Sequence, residues 1–156
     1  MKWWKSELVL LVILSVAWAA PAPFADDVEE SLRLPKTSMP INYEINIRTN
    51  AHYGVRSFSG AVKILVEITK DTNVITLHNR ELSVQSVKVT DNSGSGVALD
   101  LSTSYNVAKD FMNIEVTTRE LLEGEKLLVE IAFSGQMRLD MTGFYMSSYR
   151  DGEEIR

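Results

Sequence analysis

The sequence contains no cysteine. That excludes a disulfide framework and any thiolate metal site. It has only two histidines, His52 and His78. Neither has a second histidine at ligand spacing, and no H-E-x-x-H string occurs, so no metal-ligand set is legible. There is no glycine-rich phosphate loop. Ser147-Ser148 lies outside any G-x-S-x-G, with no histidine near it in sequence. No Asn-x-Ser/Thr occurs, which excludes an N-glycan. Basic stripes are missing too. The formal net charge is −5, so no electrostatic footprint for DNA or RNA exists. Helical periodicity is confined to Thr118 to Leu122, about one turn.

What is present first is a leader. Lys2 and Lys5 precede an apolar run from Leu8 to Val16, and Ala17-Trp18-Ala19 supplies the small residues a signal peptidase reads. The run is shorter than the roughly 20 residues a membrane-spanning helix needs. Cleavage after Ala19 keeps Pro21 off the first mature position. The reading is a secretory signal over residues 1–19, with the mature chain in the secretory pathway, extracellular or on the outer face of the plasma membrane. Residues 20–31 carry Pro21, Pro23, Asp26, Asp27, Glu29 and Glu30 without apolar period. They read as a solvated linker, since nothing there fixes a backbone that could gather carboxylates into a site. A secreted chain without cysteine must hold itself together by packing alone.

From residue 32 onward the pattern is β. Leu34-Pro35 and Met39-Pro40 flank a short extended segment, because the residue before proline is pushed towards extended geometry. Ile41, Tyr43, Ile45 and Ile47 alternate with polar residues and predict a half-buried strand. Asn50 to Arg56 is a turn. Phe58, Gly60, Val62, Ile64, Val66 and Ile68 form the longest alternating run, with one buried face and one mostly wet face. Val74 to His78 is a short apolar strand. His78, at its end, is expected to be a hydrogen-bonded structural residue. Leu82 and Val84 share one parity, Val87 and Val89 the other, which predicts a bulge near Gln85-Ser86. Asp91 to Gly96 is a hairpin tip. A calcium loop starting at Asp91 would need a glutamate at its twelfth position, where Ser102 stands. Ala98 to Leu101, Tyr105 to Ala108 and Met112 to Val116 are expected as short strands, and Leu121 to Glu125 as a polar turn. Leu127, Val129, Ile131 and Phe133 then line one face of a strand. Ser134-Gly135 after it predicts a bulge or sharp bend, and aromatic residues Phe144, Tyr145 and Tyr149 follow. Strands recurring every eight to twelve residues or so make the fold class all-β, an antiparallel β-sandwich.

An ordered set of short strings adds a resemblance. It comprises Arg33-Leu34-Pro35 followed by Pro40-x-x-Tyr43-x-Ile45, then Phe58-x-Gly60-x-Val62-x-Ile64. Ile75-Thr76-Leu77-His78 with Leu82, and the turn at Leu122-Glu123-Gly124, come next. Phe133-Ser134-Gly135 and Gly143-Phe144-Tyr145-x-Ser147-x-Tyr149 close the set. Together these resemble the N-terminal β domain of the aminopeptidase N family of zinc metallopeptidases, the gluzincin aminopeptidases, over residues 32–156. The resemblance implies an ectopeptidase that removes single N-terminal residues from peptides. In that family zinc is held by two histidines and a glutamate of a helical catalytic domain, and a G-A-M-E-N segment there grips the substrate's amino group. None of those residues is in this sequence. No catalytic, substrate-binding or metal residue is assigned, and zinc belongs to the full-length family rather than to these residues.

The resemblance also implies that a T-Q-F-E-P-like strand would follow Arg156, so the domain is expected to be incomplete at its C-terminus. The missing strands would leave a sheet edge uncovered. That predicts a marginal domain that self-associates or needs a partner, either the missing catalytic domain or a full-length paralogue. Two other readings stay open at the level of sequence: a stand-alone secreted β-sandwich binding module, and a catalytically inactive regulator. Membrane anchoring is not legible.

Overall fold

The computed structural model describes residues 32–92, 96–152 and 154–155. The leader, the linker and the tip residues Ser93 to Ser95 lie outside the described residues. The described chain runs β1 (Ser38–Thr49), β2 (Ser57–Ile68), β3 (Val74–His78), β4 (Ser83–Asp91), β5 (Leu101–Asn106), β6 (Phe111–Val116), β7 (Lys126–Gln136), β8 (Arg150–Asp151) and β9 (Glu154–Ile155). A four-stranded sheet has the order β1-β2-β7-β4 and a three-stranded sheet the order β3-β6-β5. β8 and β9 form a separate two-stranded hairpin. All strand pairs are antiparallel.

The two larger sheets meet face to face. Ile64, Val66 and Ile68 of β2 and Leu127, Val129 and Ile131 of β7 share one core with Ile75 of β3 and Met112, Ile114 and Val116 of β6. Each is a position the alternation marks as apolar, and full burial of such a side chain contributes about 1.5–3 kcal/mol. The all-β sandwich expected from strand spacing is therefore present. The bulge is present as well. The β4–β7 register shifts between Val84 and Ser86, so Val84, Val87 and Val89 all oppose core-facing residues of β7, namely Phe133, Ile131 and Val129. The expected Asp91 to Gly96 tip falls partly outside the described residues; on either side of it the Leu99 N–H donates to Val89 O at 2.9 Å. The chain then leaves that sheet to start β5 in the other.

Several expectations need correction. Ser134-Gly135 does not break the strand, because β7 pairs without interruption to Gln136. The glycine is there for close approach, as described below. Ala98 to Leu101 and Tyr105 to Ala108 are not two strands. One strand, β5, runs between them, and residues 107–110 turn the chain, with Asp110 at φ +54° and its carbonyl accepting from the Asn79 N–H at 2.7 Å. Thr118 to Leu122 is not helical. Its Leu121 exchanges two backbone hydrogen bonds with Thr72, at 2.8 and 3.0 Å, and its side chain is fully buried. Between Leu34-Pro35 and Met39-Pro40 the chain turns at Lys36-Thr37, where both carbonyls accept hydrogen bonds from Thr69.

The largest departure is β1. Tyr43, Ile45 and Ile47 oppose Ile64, Val62 and Gly60, so they sit on the core side of the sheet. They are nevertheless 52%, 59% and 43% exposed. The core holds no residue of β1, because the narrower three-stranded sheet covers β2, β7 and β4 and stops short of it.

Candidate functional site

Two features are built around the motif residues. The first is a reciprocal lock between β2 and β7. Phe58 opposes Gly135, and Gly60 opposes Phe133. Each phenyl ring thus lies over the other strand's glycine. A Cβ on Gly135 would sit 2.7 Å from Phe58 Cζ and 3.0 Å from Leu82 Cδ2. On Gly60 it would sit 2.7 Å from the Asn46 carbonyl oxygen and 2.9 Å from Phe133 Cζ. Both glycines are required by space, not by left-handed geometry. The rings pack edge-on at 6.4 Å, and Phe144 packs edge-on against Phe58 at 4.9 Å. Phe58, Phe133 and the buried Met137 form a second, smaller core.

The segment after β7 is fastened beside this lock. Arg56 donates from Nε and Nη2 to the Met137 carbonyl, at 3.1 and 2.9 Å. Arg138 holds both Asp140 oxygens at 2.6 and 2.7 Å and Glu81 Oε2 at 2.6 Å. Its hydrogen bonds to Asp140 and Glu81 raise the guanidinium pKa, and those from Arg138 hold Asp140 below the usual carboxylate range. Glu81 itself is at φ +59°, a conformation that costs a non-glycine residue roughly 1–2 kcal/mol. Its side chain meets Arg138.

The second feature is an apolar groove at the open mouth of the sandwich, with a volume of about 430 Å³. Tyr43 and Ile45 of β1 and Phe133 of β7 line it from the four-stranded sheet, and Leu77 of β3 and Met112 of β6 from the three-stranded one. Asn79 stands at the rim. Its Oδ1 is buried without a hydrogen-bond partner, an arrangement that costs about 1–3 kcal/mol unless a donor arrives.

The sequence assigns no catalytic or metal residue, and the structure places its two histidines apart. His52 lies in a short 3-10 turn (Ala51–Tyr53) and packs on Tyr53 at 3.9 Å. His78 is exposed at the end of β3 and packs edge-on to Phe111 at 5.0 Å; among the described residues its side chain has this ring contact and not the expected hydrogen bond. Ser147 and Ser148 are exposed in irregular chain. Among the described residues no three His, Asp or Glu side chains gather as a metal ion requires. Asn79, Leu121 and Arg138 were missed by sequence reasoning, because isolated polar residues and a leucine in a turn carry no periodic signal.

The family model described as the Peptidase M1 N-terminal domain matches residues 39–156. A puromycin-sensitive aminopeptidase of Caenorhabditis elegans is 31% identical over 119 residues, covering 76% of this chain and 12% of that protein. A membrane alanyl aminopeptidase of Manduca sexta is 29% identical over 136 residues, covering 79% and 14%. Aminopeptidase N of Rattus norvegicus is 26% identical over 132 residues, covering 77% and 13%. The chain spans about an eighth of the length of these curated relatives. The match takes in both Phe/Gly strings of the lock and the turn that buries Leu121, and on it the chain belongs to the Peptidase M1 N-terminal domain family.

Proposed function

We propose that this chain serves as the non-catalytic N-terminal domain of an exported zinc aminopeptidase, a β scaffold whose catalytic domain lies elsewhere. The supporting observation is that the lock residues marking the family, Phe58, Gly60, Phe133 and Gly135, are used in packing. The zinc of these enzymes finds no fitting donor set among the described residues, since a water-activating zinc needs three protein ligands. No chemical step is therefore derived from them. Assay of the full chain with aminoacyl chromogenic substrates, alongside metal analysis, is expected to give no turnover and no stoichiometric zinc. Turnover with bound zinc that survives removal of contaminating peptidases refutes the assignment. A transcript that reads on from codon 156 into H-E-x-x-H supports it.

Export rests on Lys2, Lys5, the Leu8 to Val16 run and Ala17-Trp18-Ala19, and one relative is named as a membrane enzyme. N-terminal sequencing of the product is expected to begin at Ala20. A cytosolic product that retains Met1 refutes export. The open apolar groove favours a second reading, a stand-alone secreted binding module. A transcript that stops at codon 156, with the chain circulating free, would select that reading over the first.

A further inference from the structure

Several unfavourable local arrangements gather at one corner of the sandwich. Among the described residues two non-glycine positions have left-handed backbone, Glu81 at φ +59° and Asp110 at φ +54°. Glu81 lies in the turn from β3 to β4, and Asp110 in the turn from β5 to β6. The two turns are tied together. The Asn79 N–H donates to Asp110 O at 2.7 Å, and Arg80 Nε lies 3.8 Å from Asp110 Oδ2. The unpartnered Asn79 Oδ1 belongs to the same corner. Backbone strain gathered in this way is characteristic of clamps and switch regions.

The segment that meets this corner closes on itself. The Arg138 N–H donates to Phe144 O, and the Met146 N–H to Arg138 O, both at 3.0 Å. Residues 138–146 therefore form a loop with its own backbone fastening. Phe144 packs on Phe58, Met146 packs against the smaller core, and Arg138 Nη1 donates to Glu81 Oε2 at 2.6 Å. Between the loop and the β3–β4 turn lies a cleft of about 200 Å³, lined by Phe58, Glu81, Arg138 and Phe144 among others. The loop thus bridges a gap and does not fill it. Asp140, within the loop, takes the other edge of the same guanidinium through Nε and Nη2. Glu81, Arg138 and Asp140 all stand outside the strings that carry the family resemblance, so that resemblance does not account for their contact.

We propose that residues 138–146 form a strap that opens as a unit while the sandwich stays folded, with the Arg138–Glu81 ion pair as its latch. Opening uncovers the Phe58 ring of the Phe/Gly lock. Local opening is favoured where buried apolar contacts are few, and the cleft beneath the strap meets that condition. The latch responds to salt, because the Glu81 side chain is 61% exposed and such pairs are screened. This inference does not depend on the aminopeptidase reading.

Residue-resolved amide exchange of the full chain tests it. The Arg138 and Met146 amides report the strap. The Val129 amide, in a strand paired on both sides, reports the sandwich. Relative to their intrinsic rates, the strap amides are expected to exchange at least about tenfold faster than Val129. They are expected to speed up further in about 0.5 M salt, with Val129 unchanged. Glu81→Gly removes the carboxylate and places at φ +59° the residue that adopts it without strain. It is expected to speed the strap amides about three- to tenfold and to leave the urea midpoint no lower than the parent's. That combination cannot come from a damaged fold. Glu81→Gln keeps the left-handed cost but removes the charge, and is expected to act in the same direction. Strap amides as slow as Val129 overturn the proposal. So does exchange that ignores both salt and Glu81→Gly, and so does a Glu81→Gly effect of equal size at Val129.

Discussion

Replacing Gly135 by alanine tests the Phe/Gly lock quantitatively. A Cβ at this position meets Phe58 Cζ at 2.7 Å, Phe58 Cε1 at 3.0 Å and Leu82 Cδ2 at 3.0 Å. All three are side-chain atoms. Phe58 cannot swing away freely, since Phe133 and Phe144 hold it edge-on from two sides. Overpacking of this kind costs about 1–3 kcal/mol. The lost backbone freedom of the unfolded chain returns about 0.4–1 kcal/mol. The expected net loss is about 1–2 kcal/mol, out of a total domain stability of about 5–15. Phe58→Leu, made alone, is expected to cost less than the roughly 3–5 kcal/mol of truncation to alanine. In the double variant the ring that clashes is gone. Its cost is expected to fall short of the sum of the singles by about 1 kcal/mol. Gly60→Ala behaves differently, because its nearest neighbour at 2.7 Å is the backbone oxygen of Asn46. Phe133→Leu leaves that contact in place and rescues little. Urea unfolding of the parent, the four single variants and the two doubles, compared at constant m-value, reads all of this as shifts in midpoint. If Gly135→Ala is as stable as the parent, or if the cycle at 58/135 is strictly additive, the close approach is not what fixes these glycines.

Three further outcomes are expected. Glu125 accepts two hydrogen bonds from the Arg119 guanidinium, at 2.9 and 2.8 Å, which together with the Leu122 N–H lower its pKa from the ordinary 4.5. A depressed carboxylate contributes stability above its unfolded value and loses it as pH falls below about 4.5, so Glu125→Gln should flatten the acid limb of a stability–pH curve and leave the neutral plateau only slightly lower. Leu121→Ala is expected to cost about 2–5 kcal/mol by thermal or urea unfolding, as for a core leucine, although its sequence context is a polar turn. Ile45→Thr is expected to cost less than about 1 kcal/mol, whereas Ile64→Thr, at 4% exposure, should cost several times more.

The parts of the fold that the sequence reveals are those where one strand's own pattern decides the matter. Alternation in β2, β6 and β7 marks a buried face, because the pleat alone assigns odd and even residues to opposite sides. The parity switch between Val84 and Val87 reveals the bulge for the same reason: four valines and leucines cannot share a face otherwise. Gly135 is misread by the same local logic. A glycine after an alternating run has two physical uses, a bend and a close approach, and they differ only in what lies across the sheet. Here Phe58 lies across it, 77 residues away in the chain by the observed register. Leu121 and Asn79 are invisible for a related reason. Their environments are set by Thr72, and by the groove rim between β3 and β4, and neither leaves a periodic trace.

β1 separates two questions that periodicity joins. Its alternation states which side of the sheet its isoleucines occupy, and the register with β2 bears that out. It does not state whether anything lies over that side. Burial of a sheet face needs a second layer of equal width, and β3-β6-β5 is one strand narrower than β1-β2-β7-β4. The uncovered strand is therefore the outermost one, and its isoleucines remain 59% and 43% exposed although they sit on the core side. Such a row is stable in water at modest cost, since isolated exposed apolar residues are common. Ile45→Thr should therefore scarcely change unfolding, although the residue lies on the core side of the sheet, because no second layer among the described residues covers it.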